Sequence, residues 1–460
     1  MGQDTIKRQT IRLWTVWAIV TGGLWCSGCA TYIDHISKAH AAAERGDFDA
    51  GVDELNGVLG VNSYEKIPNK WSALRPLAAL ERAMLLQALG EFEWSARDIS
   101  AAETELEFLD LKMDTAGNIG KYIFNDSAEV YKTQPTERLA LNAMNMLNYL
   151  AMGNVEGAAV ESRRFTVTRE YLASIDTQNH GAFGSYLAGF VFEQLGETDR
   201  ALRYYEEALD AGDLQALREP VVRLSQSGSY EGRKLKKYLN ELDDSKSSVR
   251  KVPTSGGQAN GEILVVIGLG RVPYKIAKRI PIGKAVGIGS LYITGNPNVL
   301  AYSALKVVTY PELVERPKRV TSATVMVGGR SIPVELITDL GKEITREYEE
   351  IKPKIIGAAL TRMIARAAAA EGARAAARQK GGAVALLAAL GTEAALLGLD
   401  KPDTRSWTFL PNKVYVCRTS VPPGQHELRI NLQASPSENR ILLVDVAPGG
   451  FNVIAIRVPR

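Results

Sequence analysis

The chain has 460 residues, 45% hydrophobic and 23% charged, with 55 basic against 52 acidic side chains. That length holds about two or three domains, and that composition is globular rather than disordered. A net charge of +3 gives no charge-based case for nucleic-acid binding, and three cysteines and four histidines exclude a disulfide scaffold and argue against a zinc site.

At the N-terminus, Lys7, Arg8 and Arg12 precede an uncharged apolar run over 13–25, which is followed by Cys26-Ser27-Gly28-Cys29. A basic start, a short apolar core and small residues before a cleavage point spell a secretory signal; a membrane span needs ~20 apolar residues. Ser27-Gly28-Cys29 resembles the lipobox of bacterial lipoproteins, with Cys26 where that family usually has leucine. The resemblance implies that 1–28 is a signal peptide and that Cys29 becomes the lipidated (palmitate-bearing) first mature residue. With Ala30 and Thr31 following instead of aspartate, it also implies the inner leaflet of the outer membrane, facing the periplasm. Attached acyl chains would hold the protein to that membrane. Two rival readings of the cysteine pair are a redox Cys-x-x-Cys, which needs a folded setting to tune its thiols, and a plain signal anchor. Cys417, inside KVYVCRTSV, reads as a buried strand residue.

Residues 29–242 read as a helical array. In YLAGFVFEQLGETDRALRYYEEAL, residues Gly189, Phe192, Gly196, Ala201, Tyr205 and Ala208 fall at the spacings of tetratricopeptide repeats, which the segment resembles. The small residues permit close helix pairing, the aromatics fill the gap, and Gly196 permits the turn. Weaker copies turn at Gly46, Gly90 and Gly153, so the turns lie 44, 63 and 43 residues apart and the array is irregular. Its longest insertion covers about 109–135. The expected product is a concave face for peptides or partner proteins.

Tyr131, Glu137-Arg138, Leu147-Asn148-Tyr149-Leu150, Gly153 and Val160-Glu161-Ser162-Arg163-Arg164, with Asp403-Thr404-Arg405-Ser406-Trp407 and Leu410-Pro411 downstream, resemble a poorly characterised family of bacterial lipoproteins with tetratricopeptide-like repeats. The resemblance implies no catalytic residues. Some members are encoded near lipoproteins of the type that activates peptidoglycan synthases, which implies a role in envelope assembly. Glu161, Arg163 and Arg164 are a candidate binding patch or, alternatively, salt bridges between adjacent repeats.

The polar stretch 243–261 reads as a linker. Over 262–460 the pattern is an antiparallel β-sandwich with a helical insertion at about 339–400, so the fold class is α+β. Strand signals occur at EILVVIGL (262–269), ATVMV and RSIPVEL around Gly328-Gly329, KVYVCRTSV (413–421), HELRINL (426–432), RILLVDV (440–446) and FNVIAIRV (451–458). Gly268 and Gly270 begin a dinucleotide fingerprint that fails at Pro273, and no P-loop, nucleophile elbow or His-Glu-x-x-His motif occurs. No cofactor, metal or nucleic-acid partner is expected.

The insertion starts as a charged helix. From Gly357 to Leu399 it holds 17 alanines and 6 glycines, broken at Gly381-Gly382. It reads as a hairpin with Arg362, Arg366, Arg374 and Arg378 on one arm and a single charge, Glu393, on the other. Such a hairpin packs on the sandwich or the repeats; alternatively it mediates self-association or membrane contact. Asp403 and Arg405 read as a structural pair at a turn, or else with Trp407 as a docking surface. The function these features suggest is a lipid-anchored, non-enzymatic scaffold binding envelope proteins. Alternatives are a homo-oligomeric ring or pore built on 357–399, and an envelope glycan hydrolase, for which Glu349 and Glu350 are a poor acid/base pair because neighbours on a helix diverge.

Overall fold

A computed structural model describes residues 31–72, 74–108, 131–175, 181–244, 259–298, 307–317, 319–378, 402–434 and 437–460. The lipobox, most of the expected linker, and the second arm of the Ala/Gly hairpin with its Gly381-Gly382 break lie outside them. The chain is α+β, helical in its first half and largely β in its second.

Among the described residues of the first half lie four helical hairpins: α1 (Tyr32–Arg45) with α2 (Phe48–Leu59), α3 (Arg75–Leu89) with α4 (Phe92–Glu103), α5 (Pro135–Ala151) with α6 (Val155–Ile175), and α7 (Ala182–Gln194) with α8 (Thr198–Ala208). Each turns at one of the four glycines read from the sequence, Gly46, Gly90, Gly153 and Gly196, at φ between +73° and +87°. The residue after each glycine donates back across the helix end: Asp47 to Ala42, Glu91 to Leu86, Asn154 to Tyr149 and Glu197 to Phe192, at 2.8–3.0 Å. This is the left-handed helix stop that glycine makes without a Cβ penalty. At Gly189 the need is space instead, since a Cβ there would lie 2.5 Å from the Tyr205 ring. A two-residue parallel pair, β1 (Glu107–Phe108) and β2 (Lys132–Thr133), brackets the expected insertion. Two further helices, α9 (Arg218–Ser225) and α10 (Arg233–Asp244), end this half.

The second half contains two four-stranded sheets. One runs in the order β12 (Phe451–Val458), β3 (Gly261–Leu269), β9 (Lys413–Val421), β8 (Glu335–Asp339). The other runs β11 (Glu438–Val446), β10 (Gly424–Ala434), β6 (Val320–Val327), β7 (Arg330–Ile332). Ile263, Val265, Ile267, Cys417, Ile456 and Val458 from the first sheet meet Val325, Leu428, Ile430 and Val444 from the second. Two details depart from the expected antiparallel sandwich. Strands β3 and β12 pair in parallel, Phe451 with Glu262 through Val458 with Leu269. The Gly328-Gly329 hairpin is real, but Pro333 follows its short second strand, and the rest of RSIPVEL crosses to the other sheet as β8.

Strand β3 is buried on both faces. Its alternate residues, Leu264 and Val266, join Val414, Val416 and Val453 in a core that continues into the helical repeats through Leu77, Leu80, Met84, Leu147 and Phe190. The repeats and the first sheet therefore share one hydrophobic core.

A third lobe, absent from the sequence reading, pairs β4 (Tyr274–Pro281) with β5 (Val307–Val314) and adds α11 (Ile282–Gly289). The expected charged helix and the first arm of the hairpin form one helix, α12 (Leu340–Arg378). Its Ile355, Ile356, Ala359 and Leu360 pack with Ile280, Ala285 and Val308, so this arm lies on the β4–β5 lobe instead of on the sandwich or repeats. Gly289 and Gly357 let α11 and α12 touch: a Cβ on Gly289 would sit 2.7 Å from the Gly357 nitrogen. Among the described residues, no helix is long and apolar enough to cross a membrane.

Candidate functional site

The first helices of the repeats form the face that such an array offers to ligands. Here that face is covered from within by β12 and by the irregular run Pro402–Asn412 ahead of β9. Residues Trp407, Phe409 and Leu410 of this run are fully buried in the shared core. The run is gripped through its backbone. Glu137 of α5 accepts from the Trp407 N–H at 2.9 Å. Glu81 of α3 accepts from Thr408 N and Oγ1 at 2.7 and 2.8 Å and from Phe409 N at 2.6 Å. Arg457 of β12 donates to the Phe409 carbonyl at 2.7 Å.

A directed chain of hydrogen bonds leads into Glu81. The Arg316 guanidinium donates to His40 Nδ1 at 2.6 Å, which leaves Nε2 as the protonated ring nitrogen facing Thr408 Oγ1 at 2.7 Å. Burial, with Arg316 and Arg271 nearby, drives His40 down to about 2, so the ring is neutral. Burial pushes the Glu81 carboxyl up to about 7, against the pull of its bonds from Thr408 and Phe409. Among the described residues, no group of three His, Cys, Asp or Glu could hold a metal ion.

A second bridge joins the last repeat to the sheet. Arg418 of β9 donates to Glu193 of α7 at 2.8 Å, to the Tyr205 hydroxyl at 2.9 Å and to Glu262 of β3 at 2.5 Å. Tyr205 and Arg223 also bond Glu193. Burial opposes ionisation of Glu193, yet Arg418 and Arg223 outweigh it and hold the carboxyl below its usual range. At the other end, Glu347 of α12 accepts from Thr136 N and Oγ1 at 3.0 and 2.6 Å. Burial lifts Glu347 to about 8.

The sequence-derived candidates divide between these environments. Asp403 and Arg405 form the expected turn pair: the carboxylate accepts from Arg405 N at 2.9 Å and its guanidinium at 2.7 Å, and Arg405 lies over the Tyr131 ring. Trp407 is 0% exposed, so the docking surface imagined around it is filled by the protein itself. Glu161 is buried and bonded to Asn142 at 3.0 Å and Arg164 at 3.2 Å, while Arg164 and Arg138 reach Glu103 at 2.8 and 2.9 Å. That network ties α4, α5 and α6 together, the salt-bridge alternative of the sequence reading. Arg163 is exposed. Glu349 and Glu350 lie on the exposed side of α12, with Glu349 paired to Lys352 at 3.0 Å. Cys417 is buried between the sheets, which pushes its thiol up to about 12. Cys29 lies outside the described residues. Glu81, Glu193, Glu347 and Arg418 were missed; each reads in sequence as an ordinary charge on a helix or strand.

Comparison with protein-family models and with curated proteins finds no match. Among solved structures, MamA AMB-1 is similar at 14% identity over 47% of this chain and 94% of that chain, with a TM-score of 0.28. A further structure of MamA protein aligns at 13% identity over 48% and 96%, with a TM-score of 0.27. At those scores the likeness carries no weight, and the helical-hairpin description rests on this chain's own geometry.

Proposed function

We propose that the chain is a non-enzymatic envelope scaffold, anchored by lipid on Cys29 to the inner leaflet of the outer membrane and binding partner proteins through the outer face of its repeats. The carrying observation is the exposed face of α6. Val160 is 43% and Val167 69% exposed, one helical heptad apart, with exposed Arg163 between them. Apolar side chains flanking an arginine on a helix surface suit a protein partner. The use of the buried carboxylates to grip backbone and arginines supports a structural role for them. A photo-crosslinker placed at Val167 in cells should capture envelope-assembly proteins. Capture of nothing, or of the same set as a crosslinker at exposed Glu349, removes this surface. Separately, Cys29→Ser should abolish palmitate labelling and release the protein from membranes; retained labelling would sink the anchor.

One observation favours the homo-oligomer as a second reading. Leu291, just after α11 on the β4–β5 lobe, is 90% exposed beside the α12 arm. Self-crosslinks from position 291, without hetero-partners at 167, would replace the scaffold with an oligomer.

A further inference from the structure

Where β3 leaves for β4, a cleft of about 490 Å³ opens between Gly270–Pro273, the residues Glu315–Pro317 with Val320 and Thr321, the start of α12 and Asn412–Tyr415. That size lies within the ~300–1,000 Å³ common for small-molecule sites. Its lining includes five cations, Arg271, Arg316, Lys342, Arg346 and Lys413. Two carboxylates line it with them, Glu315 and Asp339. Asp339 is already engaged, accepting from Lys342 N at 3.0 Å as the cap of α12 and facing Lys413 at 3.5 Å.

The two arginines at the back are largely buried. Arg271 is only 8% exposed, and its Nη1 is buried without a hydrogen-bond acceptor among the described residues, as is Arg316 Nε. Both pair with Glu44, at 2.8 and 3.7 Å, which is itself partly open to solvent, and Glu81 attracts both over a longer distance. The partner Arg316 finds in His40 is a neutral ring. Five cations against the two lining carboxylates leave the cleft with an excess of positive charge. Guanidinium forks match phosphate oxygens, and the excess of cations favours an anion with more than one charge. Leu269, Pro273 and Tyr415 add an apolar wall for an organic body.

We infer that this cleft binds the phosphate group of a phosphomonoester, with Arg271 and Arg316 at its base and Lys342 and Arg346 at its rim. A soluble sugar or polyol phosphate and a phosphatidic-acid headgroup share that chemistry. The test is calorimetric titration of the full chain in detergent with glycerol 3-phosphate. Saturable binding is expected, weakened at least about tenfold in the double variant Lys342→Glu and Arg346→Glu. Both residues are exposed, and a melting temperature above the titration temperature shows that the variant titrated is folded. Three results overturn the inference: no saturable binding, equal binding by the double variant, or equally tight binding of succinate. Phosphatidylcholine vesicles containing phosphatidic acid then identify the source. Displacement of glycerol 3-phosphate by them, and not by phosphatidylcholine alone, assigns a lipid headgroup; binding of glycerol 3-phosphate without displacement assigns a soluble ligand.

Discussion

At Glu347 a carboxyl group is buried with both Thr136 donors on one oxygen, while its other oxygen, Oε2, has no hydrogen-bond partner among the described residues. A protonated acid suits that site better than a carboxylate, which agrees with the lift to about 8. The folded chain therefore holds this proton over a range where the unfolded chain, with an ordinary value of 4.5, has lost it. Stability should fall as pH rises from about 4.5 to about 8, by up to about 1.4 kcal/mol per pH unit from this group, and then level off. Glu81, lifted to about 7, acts in the same direction over a shorter window. Glu193, held low, acts oppositely: its contribution is present above about 4.5 and is lost as pH falls through its lowered value. Glu347→Gln keeps an acceptor for Thr136 and cannot ionise. Urea melts at several pH values should show the variant equal to wild type near pH 5 and more stable near pH 8; parallel pH profiles would contradict the assignment. Glu81→Ala differs in kind, because it strands three donors on Thr408 and Phe409. A loss of about 2–4 kcal/mol at neutral pH is expected in the same melts.

Between elements, the bridges are ionic and the contacts close. Arg418→Ala should leave Glu193 buried beside Tyr205 without its main cation, at about 3–5 kcal/mol. Removing both charges, as Glu193→Gln with Arg418→Met, should recover part of that loss in equilibrium unfolding. Within the repeats, a Cβ on Gly184 would lie 2.2 Å from the Phe165 ring. Gly184→Ala should cost about 1–3 kcal/mol, and Phe165→Leu should restore much of it. At this scale the sequence was legible wherever the determinant was local. The four glycine turns, the Asp403–Arg405 pair and the alternation in β10 all act within a few residues of themselves. What stayed hidden was non-local. The parallel pairing of β12 with β3 joins segments almost 190 residues apart in sequence, Phe451 with Glu262, and no turn signal records it. Charged residues of α3, α5 and α7 looked solvated because one helix cannot reveal that a distant strand will cover its polar side. The lobe formed by β4, β5 and α11 lacked both strong alternation and a recognised motif, since most of β4 is exposed.

For the molecule as a whole, the shared core changes what a domain means here. A repeat array joined to a sandwich through a polar stretch invites the picture of two units on a tether. The observed contacts argue otherwise. Residues of α1, α3, α5 and α7 each bond or pack against the C-terminal half, and one hydrophobic cluster runs from Tyr32 to Val453. Separating the halves would expose Trp407, Phe409 and Leu410 together with the apolar faces of α3 and α5, and would leave Glu81 and Glu193 facing away from their partners. The halves should therefore fold as one cooperative unit. A protease site engineered into 245–258 gives a direct measure. After cleavage the two pieces should stay together through size exclusion without denaturant and melt in one transition. Expressed alone, the repeat half should be poorly soluble, because the face that would bind a partner in a free-standing array is here a section through the core. If the cleaved pieces part readily, or the isolated repeats are soluble with an unchanged melting temperature, the inner face is a releasable surface, and partner binding would move from the exposed side of α6 to that face.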